Sequence, residues 1–197
     1  ILTFCRLFPE ALGSRVNGLV LTHTTYTNPV RTVKGAGFYS AIEKPVLVPL
    51  MYLTIALAPL VRLMTWLSYY NGLLHLSSKR SSFAGTETWE QLDFSVRFQL
   101  RASPSVLARG MLGMMKYDAT HVLPQIHVPV CVVAGDKDGT CKPEASERIS
   151  RDIPNARLAT LSPAKHLGLI EHHRKYAELV HEFSSLTKHA ETGAGAG

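Results

Sequence analysis

Residues 127–173 read HVPVCVVAGDKDGTCKPEASERISRDIPNARLATLSPAKHLGLIEHH, and this stretch decides the fold of the chain. The apolar run Val128–Ala134 predicts a buried strand, and Arg157–Leu161 predicts a second one. The segment Glu144–Asp152 between them predicts a helix. A strand, a helix and a strand in this order predict two parallel strands joined by a right-handed crossover, which places the chain in the α/β class.

Acidic and histidine side chains follow the two predicted strands at the same edge of the sheet. Asp136 and Asp138 lie in the glycine turn after the first strand, and His166 follows the second strand after a Ser162-Pro163 turn. In open α/β sheets, ligands bind at the carboxyl ends of the strands. A carboxylate there can accept the Nδ1 proton of a histidine and stabilise the imidazolium that forms when a nucleophile is deprotonated. These residues therefore predict the acid and the base of a hydrolytic site.

The remaining elements complete a recognisable order. Upstream, ILTFCRLFPEAL predicts a helix that ends near Pro9, and VNGLVLTHTT predicts a strand. Downstream, Leu169–Leu186 predicts a closing helix. The order of helix, strand, long insertion, acid-bearing strand, helix, strand, histidine and closing helix resembles the α/β-hydrolase fold superfamily after its nucleophile elbow. The resemblance covers most of the chain and implies parallel strands with flanking helices and a large helical lid.

The resemblance divides the chain into three parts. Residues 1–28 and 121–188 would form a partial core, residues 29–120 a helical lid and residues 189–197 a flexible tail. The nucleophile elbow of the superfamily, Gly-x-Ser-x-Gly, does not occur in the 197 residues, and the chain begins at Ile1 within a predicted helix. We therefore expect the C-terminal part of a larger serine hydrolase, inactive by itself.

Site residues also follow from the resemblance. Asp138 matches the superfamily's Gly-x-x-Asp pattern, which favours it over Asp136 as the catalytic acid, and Asp136 is expected to cap the turn. His166 is the expected catalytic base. Lys165 departs from the pattern, since glycine usually precedes the histidine, and it adds a cation beside the imidazole. A Cys141–His166 nucleophilic pair is a weaker alternative because Cys141 has no elbow to expose it.

The implied reaction is hydrolysis of a carboxylic ester or related acyl bond of a small apolar substrate, nearest to the lactonase, haloperoxidase and esterase branch. Because the fold hosts several chemistries, two alternatives stay open. One is a haloperoxidase, epoxide hydrolase or dehalogenase, and the other is a non-catalytic binding protein. We expect no cofactor, and no metal because the histidines lack the His-Glu-x-x-His spacing.

Composition and charge exclude other classes of protein. With 46% apolar and 18% charged residues, the chain is globular rather than disordered or fibrous. Its net charge of +6 lies in residues 1–80, which hold eight Lys or Arg and two acids. These cations are dispersed, so no nucleic-acid partner is expected. Three cysteines without metal spacing favour a reducing, cytoplasmic location, and the oligomeric state stays open.

Residues 45–78 of the lid carry a single charge, Arg62. Prolines interrupt this apolar stretch, and each half is shorter than the roughly 20 residues of a membrane span. We expect lid helices that bury their apolar faces against the core and the substrate. A membrane-surface contact through residues 45–78 is the alternative. The candidate substrate-binding side chains in the lid are Trp66, Tyr69 and Trp89.

Overall fold

The computed structural model describes residues 1–194, which contain a three-stranded parallel sheet. Strand β1 is Leu19–Thr22, β2 is Val130–Gly135 and β3 is Ala156–Leu161, and their order in the sheet is β1-β2-β3. Strand β2 is the middle strand and pairs in parallel with both neighbours. The prediction of an α/β fold with parallel strands is confirmed.

Helices flank the sheet and fill the insertion between β1 and β2. In chain order they are α1 (Leu2–Leu7), α2 (Pro29–Thr32), α3 (Ala36–Ile42), α4 (Val48–Ala56), α5 (Ala58–Tyr70), α6 (Leu73–Ser82), α7 (Trp89–Arg101), α8 (Pro104–Met114), α9 (Pro143–Asp152), α10 (Gly168–Glu171) and α11 (His173–Ala194). Short helical turns add Pro9–Ala11, Glu43–Leu47 and Thr120–Gln125.

Both faces of β2 are buried, which explains its continuous apolar sequence. Successive side chains of a strand point to opposite faces. Val130 and Val132 belong to one core cluster, with Ile149 of α9, while Cys131 and Val133 belong to another. The second cluster includes Phe183 of α11. The sheet is therefore held between α9 and α11, and its middle strand delivers the turn that bears Asp138.

The closing helix differs from the single helix predicted over Leu169–Leu186. It is divided into α10 and α11 at His172, whose Nε2 lies 2.7 Å from the carbonyl oxygen of Pro163. This hydrogen bond ties the end of α10 to the loop before His166. Helix α11 continues to Ala194, into the predicted tail of residues 189–197, and residues 195–197 lie outside the described part of the chain.

Helices α4 and α5 of the predicted lid expose apolar side chains, whereas we expected them to bury these side chains. Exposed apolar residues recur at intervals of mostly three or four positions from Val46 through α4 and α5. They are Val46, Leu50, Leu53, Leu57, Leu60, Leu63, Met64 and Leu67. Within the described residues no helix has the length and apolar character of a membrane span by itself. The helical stretches Ala36–Ala56 and Ala58–Tyr70 have the length and apolar character of a span only when they are taken together. The angle between them is 92°.

Candidate active site

Asp138 lies in the turn after β2 and is almost completely buried, with 3% of its surface exposed. One carboxylate oxygen, Oδ1, accepts hydrogen bonds from the backbone amides of Thr140 and Cys141 at 2.8 and 2.9 Å. An aspartate that accepts from an amide two residues ahead closes its own turn. The turn is thereby fixed, and the second oxygen, Oδ2, is left for side-chain donors.

His166 lies in the loop between β3 and α10, beside that second oxygen. Its Nδ1 is 3.0 Å from Asp138 Oδ2, and 32% of its side chain is exposed. An ionised carboxylate only accepts hydrogen bonds, so Nδ1 carries the proton and Nε2 keeps a free lone pair. The structure thus brings together the acid and the histidine that the sequence places 28 residues apart.

The surroundings of Asp138 keep its carboxyl ionised. Burial raises the pKa of this group, but the hydrogen bonds from His166 and His23 lower it, as do the attraction of His166 and the amide of Cys141. The lowering effects prevail, so the pKa lies well below its usual value. A carboxylate that is charged at neutral pH can stabilise an imidazolium at His166.

His23 is a third member of this cluster, and the sequence analysis missed it. It follows β1, and its Nδ1 lies 3.1 Å from the same Oδ2 of Asp138, with both side chains buried. A signal was present in the sequence. The histidine directly follows an apolar strand, which in a parallel sheet puts it at the edge where ligands bind. The three residues form one hydrogen-bonded cluster across the ends of β1, β2 and β3.

Asp136 has a role different from the expected turn cap. Its two carboxylate oxygens accept hydrogen bonds from the Ser162 hydroxyl at 2.7 Å and the Ala164 amide at 2.8 Å. Both donors lie in the loop before His166. Burial raises the pKa of Asp136, but these hydrogen bonds and Lys137 lower it overall. Asp136 therefore braces the histidine loop, whereas Asp138 caps the turn.

Lys165 contacts helix α6 of the predicted lid. Its Nζ donates to the carbonyl oxygen of Arg80 at 2.6 Å, in the last turn of α6. Carbonyl groups at a helix C-terminus lack helical partners and attract cations. Next to it, the amide of Leu167 donates to the carbonyl oxygen of Ser82 at 2.9 Å. The departure from the superfamily's glycine is therefore explained by a contact between the histidine loop and the lid.

Glu171 forms a second anchor between the lid and the histidine loop. Its buried carboxylate accepts hydrogen bonds from the backbone amides of Ala84 and Thr86 and from the Thr86 hydroxyl, at distances between 2.8 and 3.1 Å. Ala84 and Thr86 lie in the segment that connects α6 with α7. Since Glu171 ends α10, this segment is fastened five residues beyond His166.

Cys141 lies on the acid's turn but lacks the properties of a nucleophile. Its thiol is buried, and burial together with the negative charge of Asp138 raises its pKa to about 12. A thiolate is the reactive form of cysteine, and at neutral pH this residue holds almost none. The geometry gives no support to the Cys141–His166 pair.

The three aromatic lid candidates occupy different surroundings. Tyr69 donates its hydroxyl to Asp93 at 3.1 Å, and Trp89 stacks on His75 with ring centres 5.0 Å apart. Trp66 lines a lid cavity of about 400 Å³ together with Met51, Val61, Leu74, Leu100 and Met111. Tyr69 and Trp66 both line a further cavity of about 470 Å³, which three arginines also border.

A second apolar cavity, of about 230 Å³, lies beside the turn of Asp138. Thr140, whose amide binds the Asp138 carboxylate, is one of its lining residues. The other lining residues are contributed by α2, α3, α4, α8 and the segments next to them: Pro29, Val30, Val33, Tyr39, Leu47, Met51, Met111 and Met115. Apolar side chains from residues 29–120 thus enclose a space that borders the Asp138 turn at Thr140.

The cluster of His23, Asp138 and His166 also has the donor atoms of a metal site, since three ligand atoms lie within 4.8 Å of one another. Zinc bonds of about 2.0–2.1 Å would separate neighbouring tetrahedral ligands by roughly 3.3 Å. The observed separations of 3.0 and 3.1 Å between Nδ1 and Oδ2 are those of hydrogen bonds.

Comparison with known proteins finds similar segments in curated sequences, while no family model matches. Over 81 residues the chain is 32% identical to the pimeloyl-[acyl-carrier protein] methyl ester esterase of Neisseria meningitidis serogroup C. The matched segment covers 41% of this chain and 32% of that protein. Over 84 residues it is 35% identical to the polyketide synthase ThaQ of Burkholderia thailandensis, covering 43% and 4%. The matched segment thus spans about a third or less of either relative's own length.

Solved structures match over nearly the whole chain. A thermophilic esterase from Thermogutta terrifontis superposes with a TM-score of 0.68 at 20% identity, covering 94% of this chain and 60% of the other. The enol-lactonase from Burkholderia xenovorans gives a TM-score of 0.64 at 16% identity, covering 92% and 62%. MenH from S. aureus gives 0.63 at 14% identity, covering 88% and 60%. These likenesses show the fold and confirm the resemblance inferred from the order of elements.

Proposed function

We propose that this chain, which has the α/β-hydrolase fold, supplies the acid and the base of an enzyme that hydrolyses a carboxylic ester or related acyl bond of an apolar substrate. The observation that supports the proposal most directly is the hydrogen bond between His166 Nδ1 and the buried, ionised Asp138. It fixes the tautomer in which Nε2 is free to take a proton.

In the proposed reaction, His166 Nε2 takes the proton of a nucleophilic hydroxyl as that oxygen attacks the ester carbonyl. The imidazolium then gives the proton to the departing alcohol, and water releases the acyl group by the same route. Asp138 orients the ring and stabilises its cationic form. The nucleophile and the oxyanion-binding amides are assigned to a segment outside these 197 residues, because the superfamily places them in an elbow and an earlier loop.

The preference for an apolar substrate rests on the cavity beside the Asp138 turn. Its lining is dominated by aliphatic and methionine side chains, and its volume of about 230 Å³ suits an acyl chain of modest length. The neighbouring lid cavity of about 400 Å³, bordered by Trp66, would accept a longer chain. The name of the Neisseria relative, a methyl ester esterase, agrees with a carboxylic ester as the substrate class.

Kinetics of the chain extended by its upstream segment tests the proposal. With p-nitrophenyl acetate and butyrate, His166→Ala should abolish turnover, and Asp138→Asn should lower kcat by roughly 10⁴-fold. Cys141→Ala is the matched control on the same turn and should retain activity. The 197-residue chain by itself should show no turnover above buffer. Turnover by the short chain that disappears in His166→Ala would place the nucleophile within these residues and contradict the assignment.

We also propose that the outer surface of α4 and α5 contacts a lipid surface. The exposed stripes described above form an apolar area interrupted by one charge, Arg62, and soluble monomers rarely expose such areas without a partner. The excess positive charge of residues 1–80 would add attraction to anionic headgroups. The two helical stretches meet at 92°, so that both could lie against the same lipid surface.

A further inference from the structure

We propose that His23 is a positioning residue for the proposed hydrolytic site, because it shares one oxygen of Asp138 with His166 and sets how strongly that carboxylate acts on His166. The inference rests on the proposed function for its catalytic consequence. The hydrogen-bonding arrangement itself can be tested without any turnover. Nothing in the order of elements along the sequence requires a second histidine at the acid.

The hydrogen-bonding capacity of Asp138 is fully committed. Oδ1 accepts two backbone amides, and Oδ2 accepts Nδ1 of His166 at 3.0 Å and Nδ1 of His23 at 3.1 Å. The two rings meet edge to face, with centroids 6.0 Å apart and planes at 72°. Since a carboxylate only accepts, both Nδ1 atoms must carry protons.

The other ring nitrogen of His23 identifies its tautomer. Nε2 is buried and has no hydrogen-bond partner among the described residues. An idealised Cβ placed on Gly168 would come within 3.1 Å of this atom, so the glycine leaves just enough room for the ring. A proton on Nε2 would be a buried donor without an acceptor, which is unfavourable. The Nδ1–H tautomer of His23 is the one that the site accommodates.

The backbone also holds His23 in an uncommon conformation. Its φ is 44°, in the left-handed region that few residues other than glycine adopt, although Asn, Asp and His do so more readily than most. Its amide donates to the carbonyl oxygen of Val133 at 2.9 Å, which continues the pairing of β1 with β2. A strained conformation persists where the surroundings impose it, and such positions gather at functional sites.

Sharing the oxygen has an electrostatic consequence. Each N–H donor draws on the negative charge of Oδ2, so His166 faces a weaker acceptor than an unshared carboxylate would be. Other charged groups near the cluster are already committed: Lys165 to the α6 carbonyl, and Glu171 to the amides at 84 and 86. The Cys141 thiol is neutral, because burial and the charge of Asp138 raise its pKa. Removing the His23 donor should therefore strengthen the hold of Asp138 on a protonated His166.

Two variants separate the hydrogen bond from the bulk of the ring. His23→Phe keeps a ring and removes the donor. His23→Asn puts an amide N–H near the position of Nδ1 and tolerates a positive φ. Histidine ¹⁵N NMR of the 197-residue chain, in solution or by magic-angle spinning, reports the tautomers of both histidines and the chemical shift of the His166 Nδ1 proton.

In the unsubstituted chain, both His23 and His166 should show a protonated Nδ1 and a bare Nε2. In His23→Phe the Nδ1 proton of His166 should move downfield, because the unshared carboxylate is a stronger acceptor of a charge-assisted hydrogen bond. In His23→Asn it should stay near its original position. In an active, extended enzyme, the acid limb of the pH profile of kcat/KM should change in His23→Phe and stay unchanged in His23→Asn.

Two results would overturn the inference. One is a protonated Nε2 with a bare Nδ1 on His23 in the unsubstituted chain, a measurement that needs no variant to fold. The other is an equal chemical shift of the His166 Nδ1 proton in His23→Phe and His23→Asn, which would reduce His23 to a packing residue. An extended protein without turnover would contradict the proposed function and leave the NMR result standing as a test of the shared carboxylate.

Discussion

Replacing Gly135 with alanine should displace the loop that carries His166. Gly135 is the last residue of β2, and a Cβ there would lie 2.6 Å from the carbonyl oxygen of Ala164 and 2.9 Å from that of Lys165. Ordinary contact begins near 3.4 Å, so the backbone of the loop would have to retreat by up to about 0.8 Å. Neither obstructing atom is a flexible side-chain end, and rotation of a side chain cannot relieve the clash.

The expected cost follows from this overlap. Overpacking costs roughly 1–3 kcal/mol of the free energy of unfolding, and a domain of this size loses about 2–4 °C in Tm for each kcal/mol. Gly135→Ala should therefore melt about 3–10 °C below the unsubstituted chain. The 3.0 Å hydrogen bond from His166 to Asp138 should weaken, since it depends on the position of the same loop. In an active extended enzyme, such a displacement should cost on the order of 10²-fold in kcat.

Gly139→Ala is the matched control. Gly139 is in the Asp138 turn, has no positive φ, and a Cβ there would meet only Lys34 Cβ at 3.8 Å, an ordinary contact. The two variants share the smaller backbone entropy of alanine in the unfolded chain, so that effect cancels to first order. Thermal melting and the NMR resonances of His166 should separate them. If Gly135→Ala melts with Gly139→Ala and leaves the His166 resonances unchanged, the close approach does not position the loop.

Three further predictions concern the acid, the thiol and the lid. The lowered pKa of Asp138 means that its ionised form stabilises the fold above about pH 4 and that this contribution is lost as pH falls through the folded value. In urea unfolding, the stability advantage over Asp138→Asn should accordingly be present at pH 7 and shrink at pH 3; an advantage independent of pH would mean that the carboxylate is not ionised in the fold. Cys141, with a pKa of about 12 and a buried thiol, should resist alkylation at pH 8 until the chain is unfolded, and rapid labelling of the folded chain would contradict its neutral, enclosed state. Leu57→Asp should reduce co-sedimentation with anionic vesicles, and binding of the unsubstituted chain should fall with salt; absence of binding at low salt would refute the lipid contact.

Much of the core could be predicted from the sequence because parallel strands impose strong constraints. A continuous apolar run such as VCVVAG is typical of a strand that is buried on both faces, and the carboxyl ends of parallel strands lie at one edge. The meeting of Asp138 with His166 follows from those two facts. The amphipathic α9 was also predictable, since its apolar residues Ala145 and Ile149 are four positions apart.

What escaped prediction depends on contacts between segments that are distant in the sequence. His23 reaches Asp138 across 115 residues and needs a positive φ, which local sequence does not specify for a histidine. Asp136 and Asp138 are two residues apart in one turn, and only the position of the Ser162 loop decides which of them braces that loop. Apolar periodicity marked the lid helices, but periodicity does not reveal whether a face is covered.

The anchors on Lys165, Leu167 and Glu171 give the lid one stationary end. Helix α6 and the segment that connects it with α7 are hydrogen-bonded to Lys165, Leu167 and Glu171, whereas α4 and α5 precede these anchors in the chain. A displacement that reached α6 would have to break these hydrogen bonds or carry the histidine with it. The position of the proposed base is therefore coupled to that of the predicted lid. The NMR resonances of His166 would then report whether α6 is in contact with the histidine loop.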